Sequence, residues 1–132
     1  MPRFSEQSLD RLGTCDPRLY QLFYEVVKDI DCKVICGYRS PEDQERAFQS
    51  GYSKLRWPQS KHNKLPKALA VDVCPYPVNW SNHSQFCFLA GWVLRTAKEF
   101  AIPIRWGGDW NSNMMTGSPD ETFFDLAHYE LR

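Results

Sequence analysis

The chain has 132 residues, 42% hydrophobic and 24% charged, which is the size and balance of one folded domain and not of a disordered or fibrous chain. Lys plus Arg and Asp plus Glu number 16 each, so no global field exists to hold a phosphate backbone, and nucleic acid is excluded as a main partner. No apolar run approaches the ~20 residues that cross a bilayer, and no stable membrane insertion is expected. The start, from Met1 to Asp10, carries no apolar signal segment, so synthesis in a cytoplasm is expected. A single monomeric domain over residues 1–132 is the expected organisation. Five cysteines, an odd number without a secretion signal, are expected to stay reduced as small buried apolar groups.

Asp16-Pro17 places an N-cap acceptor before a proline at the first helical position, and Leu19, Leu22, Phe23, Val26, Val27 and Ile30 follow at helical spacing. Cys32 to Cys36 is short, partly β-branched and closed by Gly37, which predicts a strand. A second helix is predicted from the Ser40 cap, with Pro41 next and Asp43 three residues on, to about Ser50 and Gly51. Residues 52–67 read as a long loop that carries Lys54, Arg56, Lys61, Lys64 and Lys67 with no acid among them. Leu69 to Val73 is predicted as a half-buried strand, with Leu69, Val71 and Val73 on one face and Ala70 and Asp72 on the other.

Ser81 or Ser84 is expected to cap the longest helix, whose core face is Phe86, Leu89, Ala90, Val93, Leu94, Ala97 and Phe100, with Pro103 beyond its end. Ile104-Arg105-Trp106 leads as a strand into the turn residues Gly107 and Gly108, and residues 111–122 read as an exposed loop. Phe123 to Leu131 closes the chain as a strand. Helices and short strands in this order, without βαβ repeats, predict an α+β fold with a small, largely antiparallel sheet flanked by helices.

Of three histidines, His83 stands at a helix entrance and needs no function. His62 ends the basic loop just before the strand that carries Asp72, and His128 stands near the chain end between Asp125 and Glu130. Two imidazoles and one carboxylate suit catalytic zinc, because three protein ligands leave a fourth position open. Spacing alone leaves them equally readable as isolated polar residues, since no local motif of the His-Glu-x-x-His kind is present.

Taken in order, Gly37-Tyr38-Arg39-Ser40, Ser60-Lys61-His62, Ala70-Val71-Asp72, Trp106-Gly107-Gly108-Asp109-Trp110 and Asp125-x-x-His128-x-Glu130-Leu131 resemble one family. It is that of zinc-dependent D-alanyl-D-alanine carboxypeptidases and L-alanyl-D-glutamate endopeptidases, which includes bacteriophage endolysins. The resemblance covers about residues 34 to 132 and implies the Hedgehog/DD-peptidase-like fold. It also implies Zn2+ held by His62, Asp72 and His128, with Asp125 as catalytic acid/base and Arg39 as the cation facing the scissile carbonyl. The implied substrate is the stem peptide of bacterial peptidoglycan, cut by an endolysin made in the host cytoplasm and let through the membrane by a partner. The L-alanyl-D-glutamate bond is the favoured target; a D-alanyl-D-alanine carboxypeptidase and an inactive zinc-stabilised binding module are the alternatives. Two departures stand out: a connection lengthened by Asn63 to Ala68, and Ala127 where many relatives have proline.

Residues i and i+3 of a regular strand face opposite ways, so Asp125 and His128 meet one ion only if the chain bends between them. The last strand is therefore predicted to begin near Ala127. Glu130 shares the His128 face and is either a second base or a group that orients the imidazole. Asp109, Ser60 and Trp106 are further candidates beside the metal or substrate; for Asp109 the alternative is a turn carboxylate, and for Trp106 and Trp110 core packing. Cys74 lies on the Asp72 face as a remote fourth ligand. The basic loop reads as a solvated run or, as the alternative, as a surface that meets stem-peptide carboxylates.

Overall fold

The computed structural model describes residues 1–115 and 125–132. Its elements in chain order are α1 (Glu6–Leu12), α2 (Pro17–Val26), β1 (Cys32–Cys36), α3 (Pro41–Gln49), β2 (Ala70–Pro75), α4 (His83–Glu99), β3 (Ile104–Trp106) and β4 (His128–Leu131). A single 3-10 turn, Lys61–Asn63, interrupts the long loop between α3 and β2. The four strands form one antiparallel sheet in the order β1-β2-β4-β3. This is the α+β arrangement that the sequence predicts.

The sheet separates two environments by the period-two rule of strands. Val71, Val73, Tyr129 and Leu131 join Leu19, Phe23, Leu89, Ala90 and Val93 in one apolar core between the sheet and helices α2 and α4. Phe23 and Tyr129 meet edge to face, with ring centroids 5.2 Å apart, a contact worth about 0.5–1.5 kcal/mol beyond burial. The other face carries Asp72, His128 and Glu130 (see below). All six β2 residues are buried, so the half-buried strand expected at Leu69 to Val73 is corrected to a central strand covered on both faces.

Helix starts follow their caps. Asp16 accepts from Arg18 N before Pro17, and Ser40 accepts from Asp43 N before Pro41. The cap of α4 is Asn82, which accepts from Gln85 N, and not Ser81 or Ser84. Phe100, expected in the core, is the C-cap residue of α4 and is partly exposed. Helix α1 was not predicted. Its Ser8 hydroxyl accepts from Val34 N at 3.1 Å, and Arg11 Nη1 donates to Val34 O at 3.0 Å, so it occupies the open edge of β1. The closing strand is shorter than expected and starts at His128; Phe123, Phe124 and residues 116–122 of the expected loop lie outside the described residues. All five cysteines are free thiols; Cys15, Cys32 and Cys74 are buried, while Cys87 is exposed. Among the described residues no helix is long and apolar enough to cross a membrane.

Candidate active site

Strand register assembles the site. Asp72 pairs with His128 across β2 and β4 and with Cys36 across β1 and β2, and Glu130 pairs with Ala70 and Arg105. Ala70, without side-chain bulk, leaves this row open beside Asp72. His62 arrives from the opposite side on the 3-10 turn, which Ser60 caps by accepting from His62 N while Asn63 Oδ1 accepts from Ser60 N. The result is a cleft of about 460 Å³ whose lining includes Arg39, His62, Asp125, His128 and Glu130.

Asp72 is the centre. His62 Nε2 and His128 Nδ1 each approach its Oδ1, at 3.2 and 3.3 Å, and Arg39 Nη2 lies 3.4 Å from Oδ2. His62 Nδ1 donates to Gly37 O at 2.8 Å, and His128 Nε2 meets Glu130 Oε1 at 2.9 Å. Each imidazole thus spends its outer nitrogen on an acceptor and turns the inner one toward the same carboxylate oxygen. His62 Nε2 is buried and, despite its closeness to Asp72, makes no hydrogen bond. A buried ring nitrogen that faces a carboxylate oxygen without a well-directed hydrogen bond fits a shared cation, a proton or a metal ion, between them. Metal-competent donor atoms within 4.8 Å of one another form two groups that share Asp72: Asp72, Asp125 and His128, and Cys36, His62 and Asp72.

Asp125 precedes β4 on a bend. Its N donates to Gly107 O at 2.9 Å, and its carbonyl accepts from His128 N at 3.1 Å, so the turn between them delivers both side chains to one place. Glycine is required at 107, because a Cβ there would collide with the Asp125 backbone. Gly37 is held likewise: a Cβ would strike Arg11 O and Thr14 Oγ1 and move the carbonyl that orients His62.

The charges are strongly coupled. Burial alone would raise the Asp72 carboxyl, but the two imidazoles hold it well below the usual carboxylate range. Burial would lower His62; the Asp72 charge overrides it and pushes the imidazole up to about 10. His128 is raised in the same way by Asp72 and Glu130 against its burial. Glu130, despite burial, falls to about 2 through His128 and Arg105. Asp125 moves the other way: burial and the nearby Asp72 charge raise it.

The sequence matches the family described as phage L-alanyl-D-glutamate peptidase over residues 1–132. The chain belongs to this family. It is 26% identical over 117 residues to the L-alanyl-D-glutamate peptidase of Escherichia phage T5, covering 84% of this chain and 83% of that protein. The crystal structure of the Serratia marcescens L-Ala D-Glu endopeptidase ChiX superposes with a TM-score of 0.75 at 26% identity, over 98% of this chain and 90% of that one. The chain is thus a peptidase, and the site just described is its candidate for the chemistry.

Within the peptidase the sequence-derived candidates divide. His62, Asp72, His128, Asp125, Glu130, Ser60 and Arg39 gather at the cleft or beneath it. Arg39, which the resemblance assigns to the scissile carbonyl, is only 6% exposed and is tied to Asp72 and to Gln44 Oε1 at 3.0 Å. Trp106 lies in the core, its Nε1 donating to Leu126 O, because it faces the same way as its partner Tyr129. Asp109 is a turn carboxylate: it accepts from Asn113 N and Met114 N. Cys74 packs with Phe86 and Ala127, away from the donor groups. Of the basic loop, Lys54 and Lys61 line the cleft, whereas Lys67 donates to Gly13 O, Lys64 reaches Pro58 O and Arg56 pairs with Glu45. The sequence reading passed over Cys36, Arg105 and Gln44. Gln44, fully buried, ties Arg39 and Asn63 to the loop through Ser53 Oγ and Leu55 O. A glutamine on the inner face of an otherwise charged helix was the available signal.

Proposed function

We propose that this peptidase is zinc-dependent and cuts the L-alanyl-D-glutamate bond in the stem peptide of bacterial peptidoglycan, acting as a phage endolysin in host lysis. One observation carries the metal: the buried, hydrogen-bond-free Nε2 of His62 aimed at the Asp72 oxygen that His128 also faces. His62, Asp72 and His128 would hold the ion; Cys36 is the weaker donor, because its thiol lies 4.0 Å from His62 Nδ1, the nitrogen already bonded to Gly37. A zinc ion there would supply Lewis acidity to the scissile carbonyl and to the attacking water.

The remaining steps belong to side chains. Asp125, with its raised carboxyl, takes the proton of the attacking water at a carboxylate oxygen and returns it to the departing amine nitrogen. Glu130 accepts from His128 Nε2 and so fixes the tautomer that bares Nδ1. Arg39 balances the second oxygen of Asp72 and adds positive charge beneath the cleft, where an oxyanion develops. On this reading residues 1–132 form one catalytic domain, active as a monomer. The test is incubation of the zinc-loaded protein with murein sacculi, with and without a chelator, and mass analysis of the fragments. Chelator-sensitive release of peptides with a new amino-terminal D-glutamate is expected; chelator-insensitive release, or none, would refute the proposal.

A further inference from the structure

A glutamate acylated on its nitrogen has two carboxyl groups. One continues the peptide; the other remains an anion a few bonds from the amide that is cut. A cleft that draws this carboxylate out of water must answer it with a cation. The wall built by β3 and β4 has one to spare. Arg105 lies opposite Glu130 in register, with Nη2 2.7 Å from Glu130 Oε2, and Lys61 Nζ, which also donates to Leu131 O, stands 3.2 Å from the same oxygen. The other oxygen of Glu130 already meets His128. Two cations therefore share one carboxylate, and one positive charge is left over beside the imidazole.

Position and access point the same way. The side chains of Arg105 and Lys61 keep 37% and 32% of their surface exposed, and both line the cleft. The Arg105 guanidinium lies over the Trp110 ring, 5.6 Å from its centroid, and that ring is 5.5 Å from His128. This cation–π contact keeps the guanidinium beside the imidazole, where its exposed N–H groups can meet a carboxylate. Of the other cations that line the cleft, Lys54 and Arg39, the second is buried and committed to Asp72 and Gln44.

We infer that Arg105, with Lys61 beside it, forms a carboxylate-binding subsite that selects the free carboxylate of the substrate's D-glutamate. This rests on the peptidase function proposed above and names its specificity-determining residues. Glu130 is then a positioning residue with two tasks, one oxygen on His128 and the other on the subsite.

The test uses the zinc-loaded protein and two synthetic stem peptides that differ only in this group, free D-glutamate carboxylate or its primary amide. The wild type should prefer the acid by about tenfold to a hundredfold in kcat/KM, the usual worth of a solvent-accessible hydrogen bond to a charged group. Arg105→Gln should bring the ratio close to one, and Arg105→Lys and Lys61→Met should leave it between. Any damage that reaches His128 through Glu130 lowers both rates and cancels in the ratio. Calorimetry of the two peptides binding to Asp125→Asn protein should show the same preference without turnover. Cleavage of both peptides at equal efficiency, or an Arg105→Gln ratio equal to wild type, overturns the subsite and leaves the peptidase function standing. Cleavage of neither peptide overturns both.

Discussion

Asp72→Asn is the substitution that probes the centre of the site most directly. Asparagine keeps the shape and one acceptor oxygen but removes the charge that two imidazoles and Arg39 surround. Arg39 and Asp72 side chains are 8% and 1% exposed, so the guanidinium would stay charged in a place that water barely reaches. Removing one partner of such a buried pair costs about 3–5 kcal/mol, and the lower end applies because Arg39 keeps Gln44 at 3.0 Å. For a chain of 132 residues a loss of about 3 kcal/mol lowers Tm by roughly 12 °C. Zinc at a hundred times its Kd should raise the wild-type Tm by a further ~10 °C, from about 2.7 kcal/mol of linkage, and should leave Asp72→Asn where it was. Thermal melts by circular dichroism at pH 7, with zinc and with chelator, measure both effects. An Asp72→Asn protein that melts with the wild type in chelator, or that gains as much from zinc, would refute the central role given to this carboxylate.

Asp125→Asn should keep the zinc-dependent Tm rise and lose about 10²–10⁴ in kcat, measured on a stem peptide, because it removes the base and not a ligand. The same residue sets a pH expectation. Its carboxyl is raised by burial and by Asp72, and a base works only when ionised, so activity should fall as pH drops through that raised value. A kcat/KM profile whose acidic limb lies at or below the ordinary aspartate value of 3.8 would contradict this. At pH 8 a thiol reagent should label Cys87 at once and spare Cys15, Cys32 and Cys74, whose thiols burial pushes up to about 12; mass analysis of the native and denatured protein checks it. Tyr129→Phe should be neutral or stabilise by up to about 1 kcal/mol in denaturant unfolding, because the buried Tyr129 hydroxyl has no hydrogen-bond partner.

Local signals made much of the fold legible. Cys32–Cys36 is a strand with the bounds read from its composition, and Ser40-Pro41 and Asp16-Pro17 start helices as their chemistry requires. Helix α1 escaped because seven residues with two apolar positions give little periodicity; its stability comes from Ser8 and Arg11 bonding to Val34, a contact between distant segments. The site divides in the same way. The bend that brings Asp125 to His128 follows from strand geometry, and the motif resemblance names His62, which lines the cleft, and Asp72, which lies buried beneath it. Arg105 was missed, and Trp106 stayed open between the core and the substrate, for one reason: which side chain faces the cleft on β3 depends on its register with β4, where Arg105 meets Glu130 and Trp106 meets Tyr129. The run of charge along residues 52–67 divides in the fold: Lys54 and Lys61 line the cleft, while Lys64 and Lys67 reach backbone carbonyls elsewhere.

Strand β2 runs through the middle of the sheet, giving Val71 and Val73 to the apolar interior and Asp72 to the opposite face, buried beneath the cleft against His62 and His128. Reactivity and foldability are therefore inherited together on six consecutive residues, and neither can drift alone. New bond preferences are more accessible at the rim, where Tyr52, Lys54 and Arg105 border the cleft without belonging to the buried interior. Libraries meant to redirect this lytic scaffold to other cell walls should randomise that rim and leave the strand beneath it untouched.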